Sequence, residues 1–89
     1  MAIVVAHHKV RDYKVWKPYY DGDLQRRRNA GLTDLAVGQR QDDPNDVVMI
    51  WRSSDPKKLE SMANDPSLKD LMQKAGVTGP FEILHMLSE

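Results

Sequence analysis

Apolar residues fall into four short runs that alternate at every second position and two stretches that repeat every third or fourth. In the first run, Ala2 to Val10, Ile3, Val5, His7 and Lys9 line one face of a strand, and Ala2, Val4, Ala6, His8 and Val10 the other. Both faces are apolar through Ala6, and a strand apolar on both sides is covered on both sides, which predicts a central position in a sheet. Asp46 to Arg52 repeats the pattern, with Val47, Met49 and Trp51 opposed to Val48, Ile50 and Arg52, and is the second central strand. Leu32 to Gln41 is more polar and reads as an edge strand, with Leu35, Val37 and Gln39 opposed to Ala36, Gly38 and Arg40. Pro80 to Leu87 is the last strand, with Phe81, Ile83, His85 and Leu87 on one face and Glu82, Leu84 and Met86 on the other.

Helical spacing fills the intervals. Asp12 caps a segment holding Tyr13, Val15 and Trp16, and Pro18 is either the first residue of the main helix or a kink within one longer element. That helix runs to Ala30, with Gly31 as its stop; Gly22 inside it costs roughly 1 kcal/mol against alanine and marks a close approach. Asp42-Asp43-Pro44-Asn45 turns the chain into a hairpin. Ser54-Asp55-Pro56 opens a helix with Leu59 and Met62 inward, Asn64-Asp65-Pro66 interrupts it, and Leu68, Leu71, Met72 and Ala75 continue to Gly76. The order is β-α-β-β-α-β. This is the α+β, ferredoxin-like plan, a four-stranded antiparallel sheet with helices on one face, across residues 1–89 as a single domain. Helices cover one face only, so the two-faced central strands predict a second copy of the sheet on the other, a homodimer.

Composition narrows the function. A chain of 89 residues buries only about 60–65% of the surface its unfolded form exposes. There is no cysteine, hence no thiol nucleophile and no Cys-based metal site. No signal-peptide pattern and no apolar run of the ~20 residues a membrane span needs are present, and the expectation is a cytoplasmic protein with no membrane partner. Thirteen basic and thirteen acidic residues cancel, which argues against nucleic acid as a partner. The run Arg26-Arg27-Arg28 reads as a solvated last helical turn complementing the macrodipole.

Several matching pieces resemble a known group. They are His8-Lys-Val-Arg-Asp-Tyr-Lys-Val-Trp-Lys-Pro18, the Ala30-Gly-Leu32 exit, Asp43-Pro-Asn45, Asn64-Asp-Pro66 and Lys74-Ala-Gly-Val77. Together they are similar to the dimeric α/β-barrel superfamily, in particular to small proteins related to the antibiotic-biosynthesis monooxygenases. The resemblance implies that two ferredoxin-like protomers join their sheets into a dimeric α/β barrel, with a pocket between each sheet and its own helices. Activities in the superfamily include cofactor-independent oxygenation of phenolic polyketides, polyketide cyclisation, lactone isomerisation and heme degradation. Histidines and tryptophans here do not match the constellation of the heme-degrading branch.

Candidate groups follow from side-chain chemistry. His7 and His8 point to opposite sheet faces, so at most one enters the protomer's pocket, which argues against a metal clamp from this pair. With Val5 opposite His85, His7 and His85 share a face, and histidine near its ordinary pKa moves protons in either direction. The alternative for each histidine is a hydrogen-bonded structural residue. Three dispersed histidines without a His-Glu helical motif predict no metal site. Tyr13, Trp16 and Tyr20 lie at i, i+3 and i+7, a core stripe in which Tyr20 or Tyr19 offers a phenol to a ligand. Trp51 with Met49, Met62, Met72 and Met86 can wall an apolar pocket for a flat ring, and Arg40 and Arg52 either meet an anionic ligand or form ion pairs with Asp34 or Glu82. The expected catalytic residues are therefore His7, His8, His85 and Tyr20, and the substrate-binding ones Tyr13, Trp16, Trp51, Arg40 and Arg52. No cofactor is expected. The resemblance implies a homodimer taking a hydrophobic or aromatic small molecule, as a cofactor-independent monooxygenase or polyketide cyclase. A non-catalytic dimeric ligand-binding or stress-related scaffold module is the alternative.

Overall fold

A computed structural model describes residues 1–89. In chain order the elements are β1 (Ala2–Lys9), α1 (Tyr13–Gly22), α2 (Leu24–Asn29), β2 (Leu32–Gln39), β3 (Asp46–Ser53), α3 (Pro56–Ala63), α4 (Pro66–Lys74) and β4 (Glu82–Ser88). The strands form one antiparallel sheet in the order β2-β3-β1-β4, so the two strands apolar on both sides are central, and the ferredoxin-like plan holds with each helical connection split in two.

Burial separates the sheet faces. Val4, Ala6, His8 and Val10 of the first strand and its extension, with Val47, Met49 and Trp51 of β3, are buried against the helices, together with Trp16, Leu59 and Met62. Ile3, Val5, Val48 and Ile50 form the centre of the opposite face, where no helix lies and burial is only partial. Exposed Leu87, opposite Ile3, extends the apolar surface onto the edge strand β4, every residue of which is exposed.

Helix boundaries follow the punctuation with one revision. Asp12 caps α1 by accepting from the Lys14 N–H at 2.9 Å, and Asp55 and Asp65 do the same for α3 and α4, each followed by proline in the first turn. Pro18 sits inside α1 rather than starting it. The helix stops at Gly22 instead of running to Ala30, because the Asp23 N–H turns back to the Tyr20 carbonyl and α2 restarts from there. Gly22 marks no close approach: a Cβ there would have no atom within 4 Å. Gly31 is different. It ends α2 at φ +76°, and a Cβ would collide with the Ser54 hydroxyl while the Gly31 carbonyl accepts from the Ser54 N–H. Gly31→Ala is expected to cost about 2 kcal/mol, from the left-handed backbone and the displaced serine. Urea unfolding measures it, and a variant as stable as the parent contradicts the assignment.

Both edge strands carry a register shift, at Leu35 in β2 and at Leu84 in β4. β2 ends at Gln39, short of the expected Gln41. In β4 the shift revises the alternation: Ile83 pairs with Ala6 and so faces the helices, whereas His85 pairs with Val5 and Leu87 with Ile3 on the open face. Val5 does stand opposite His85, as the sequence predicts.

Candidate active site

The site grows from the α1 stripe. With Asp12 fixing the entry, Tyr13, Trp16 and Tyr20 fall on the sheet-facing side of α1; Trp16 stacks on Tyr20 with centroids 4.8 Å apart and leans on Tyr13 at 5.8 Å. From the sheet, β1 sends up His8 and β3 sends up Met49 and Trp51, whose Nε1–H donates to the Tyr20 hydroxyl at 2.8 Å. Phe81, just before β4, packs parallel to Trp51 at 6.1 Å. Met62 of α3 and Leu68, Leu71 and Met72 of α4 complete the wall. They line a cleft of about 480 Å³, a figure that takes in open solvent, with about 50 Å³ of free interior volume.

His8 is the first polar group of the cleft. It is 4% exposed, stands edge-on to Trp16 at 5.4 Å and to Phe81 at 6.2 Å, and neither Nδ1 nor Nε2 has a hydrogen-bond partner. Burial, reinforced by nearby His7, pushes its pKa down to about 4. At neutral pH the ring is therefore an uncharged imidazole, with one N–H to donate and one lone pair to accept. Native structures leave few buried polar atoms unpaired, and each such atom calls for an explanation. Both nitrogens of His8 are such atoms, on a ring that lines the cleft.

Tyr20 is the second polar group. Burial raises its phenol above the usual value, against the opposing pull of the Trp51 hydrogen bond and the Arg27 charge. Arg27 lies in van der Waals range beneath it, its guanidinium carbon 3.7 Å from the ring centroid. Two guanidinium nitrogens reach Asp34 at 2.9 Å each, and a third donates to the Tyr20 carbonyl at 2.7 Å.

The remaining expected residues lie elsewhere. His7 is on the open face: Nδ1 is 2.8 Å from Asp46 Oδ1 and Nε2 is 3.6 Å from Glu82. His7 and His85 share this face, as the pairing of Val5 with His85 predicts, and the groups that the His7 nitrogens meet are Asp46 and Glu82. His85, exposed on the open face, does not reach the cavity of Tyr20 and Trp51. Tyr13 supports Trp16 without lining the cavity. Arg40 pairs with Asp42 and Asp46, and Arg52 with Glu89, so the expected Asp34 and Glu82 partners are corrected in both cases by local geometry. Asp46 is the group that organises this second cluster. Burial pushes its carboxyl up, but the His7 and Arg40 hydrogen bonds outweigh that and hold it below its ordinary pKa.

Sequence reasoning missed Arg27 and Phe81. The arginine run reads as a solvated turn, yet Arg27 within it is 4% exposed. The available signal was Asp34, an acid paired with Trp51 on the helix-facing side of β2.

No protein-family model matches the chain, and no curated protein sequence matches it. Solved structures do match over its full length. A NIPSNAP domain protein of uncharacterised role from Burkholderia xenovorans superposes at TM-score 0.68 with 16% identity, covering 100% of this chain and 94% of that one. A structure described as an antibiotic biosynthesis monooxygenase gives 0.63 at 19% identity, covering 100% and 98%. A Nitrosomonas europaea protein provisionally assigned to the same activity gives 0.65 at 15%, also covering 100% and 98%. The chain has the antibiotic-biosynthesis-monooxygenase fold. In that fold the cleft between sheet and helices is where His8 lies, whereas His7 and His85 lie on the opposite side of the sheet. At these identities the likeness fixes architecture and leaves chemistry to the side chains.

Proposed function

We propose that this protein is a cofactor-independent monooxygenase acting on a flat phenolic or enolic substrate in the His8 cleft. The observation that carries the reading is the buried His8 imidazole with both nitrogens free, walled by Trp16, Trp51 and Phe81. A substrate bearing an activated methylene beside a phenol or enol would give His8 a proton and become an electron-rich carbanion. Dioxygen from solution accepts its electrons and forms the new C–O bond; His8 returns the proton to the peroxide. Loss of the remaining C–H proton with cleavage of the O–O bond yields a carbonyl and water, so that one methylene and one dioxygen become one carbonyl and one water. A base with a pKa near 4 serves only an acidic substrate. The anion formed beside it stabilises the imidazolium by direct attraction.

A homodimer is part of the reading. Ile3, Val5, Val48 and Ile50 form an apolar centre on the open sheet face with no element of this chain over it, and a second copy of the same sheet is self-complementary to it. Ile50→Asp is expected to shift a dimer to monomer in light scattering at micromolar concentration; a monomeric parent removes the dimer.

A second reading, a ligand-binding module without turnover, is favoured by the weakness of His8 as a base at a pKa of about 4, and in both readings the ligand must open an interior volume of about 50 Å³. That is about a third of the 150 Å³ cavity known to admit benzene. A ring enters only as the flexible side chains of Met62 and Met72 move aside. Oxygen uptake with 1,8-dihydroxy-9-anthrone separates the two. One dioxygen consumed per quinone formed, lost in His8→Phe, supports the oxygenase; uptake no faster than in buffer, with the anthrone bound, leaves the binding module.

A further inference from the structure

The Tyr20 hydroxyl accepts from Trp51 Nε1 at 2.8 Å, and its own hydrogen has no protein acceptor. Its ring is held on both faces, by Trp16 at 4.8 Å and by the Arg27 guanidinium at 3.7 Å. Arg27 is in turn immobilised by the bidentate Asp34 contact and by the Tyr20 carbonyl, so one buried cation fixes both the backbone and the ring of the same residue. A planar fork of this kind gives orientation that a lysine cannot reproduce. Both the hydrogen bond from Trp51 and the cation beneath the ring draw electron density from the phenol oxygen, which strengthens its O–H as a donor.

We infer that Tyr20 is the hydrogen-bond donor of the His8 cavity, that Arg27 is its positioning residue, and that the site selects flat molecules carrying a carbonyl oxygen for Tyr20 together with a hydroxyl for His8. The inference rests on the reading of this cavity as the ligand site and adds the functional groups the ligand must carry. Neutral His8 and Tyr20 line one wall system, bridged by Trp16, which touches both rings. A phenol without a carbonyl satisfies only His8. A molecule with both groups satisfies both, and each unmade hydrogen bond in so apolar a site leaves a desolvated group unpaired.

The experiment compares 6-acetyl-2-naphthol with 2-naphthol, two neutral probes with the same ring system and hydroxyl of which only the first has a carbonyl, by quenching of tryptophan fluorescence. Parent protein is expected to prefer the acetylnaphthol by about tenfold, the ratio that one well-made hydrogen bond supplies. Tyr20→Phe is expected to abolish the preference, whatever its effect on the affinity for 2-naphthol alone. Arg27→Met and Arg27→Lys are expected to reduce the ratio severalfold, and Asp34→Asn, which removes the counter-charge but leaves an amide oxygen to accept from the guanidinium, to do so in smaller degree. Because the readout is a ratio within one protein, general loosening that weakens both probes equally does not mimic the result. An unchanged ratio in Tyr20→Phe overturns the donor assignment. An unchanged ratio in both folded Arg27 variants, or in Asp34→Asn where those fail to fold, overturns the positioning role. Failure of the parent to bind either probe overturns the cavity reading itself, and an intact ratio without oxygen uptake counts against the oxygenase alone.

Discussion

His8→Phe is expected to melt at a higher temperature than the parent protein while losing the chemistry of the cleft. The parent ring has both nitrogens unpartnered at 4% exposure, and an unsatisfied buried polar group costs about 1–3 kcal/mol. Phenylalanine keeps the edge-on contacts with Trp16 and Phe81, and the adjoining free volume of about 50 Å³ takes the larger ring. At about 4–8 °C per kcal/mol for a domain of this size, the midpoint rises by about 10 °C. The gain grows in acid. Folded His8 binds its proton only near pH 4, whereas an unfolded histidine does so near pH 6.5, so between these values the unfolded chain holds more protons. Parent stability therefore rises with pH across this window and is lost as pH falls through it. The full shift is on the order of 3 kcal/mol, of which about 2 is lost between pH 7 and pH 5. Asp43, Asp46, Asp65 and Glu89, all held below their ordinary pKa, add their own acid losses to parent and variant alike. The difference between the two proteins isolates His8. Melting at both pH values measures it, and a variant less stable than the parent at both makes His8 an ordinary packing residue.

Trp51→Ala is expected to lose about 3–5 kcal/mol, much of the total stability of a small domain. Trp51 is 2% exposed on a central strand, with Phe81 stacked on it and Tyr20 bonded to it. Trp51→Phe keeps the packing and removes the Nε1–H donor, for about 1 kcal/mol. The contrast between the two separates packing from hydrogen bonding at the same position. Guanidinium unfolding reads both, and an alanine variant within about 1 kcal/mol of the parent means that the wall of the cleft is not part of the core.

Local pattern carried the architecture because period-two alternation and capping act over a few residues. Ala2 to Val10 separated His7 from His8, and the acids before Pro56 and Pro66 became caps, from neighbours in sequence alone. The failures are of a different kind. A register shift at Leu84 adds one residue to a strand without altering its composition, so simple alternation puts Ile83 and His85 on one face when they lie on two. Arg27 sits in a run of three arginines, and only the approach of β2 determines that the middle one is buried on Asp34. That His8 rather than His7 stands unpartnered is likewise a matter of what surrounds each ring: Asp46 satisfies one, and aromatic edges surround the other. Local consistency is expected to fail first at functional positions, and His8 is where a buried polar group goes without its partner.

The claim that the nitrogens of His8, unpaired within the protein, are the ligand-binding atoms is tested most directly by nitrogen-15 spectra of the three histidine side chains before and after adding 6-acetyl-2-naphthol. The His8 pair is predicted to move, one nitrogen toward a hydrogen-bonded or protonated position, while His7 and His85 stay in place. Shifts confined to His7 or His85, with His8 stationary at saturating probe, would contradict the placement of the site in the cleft.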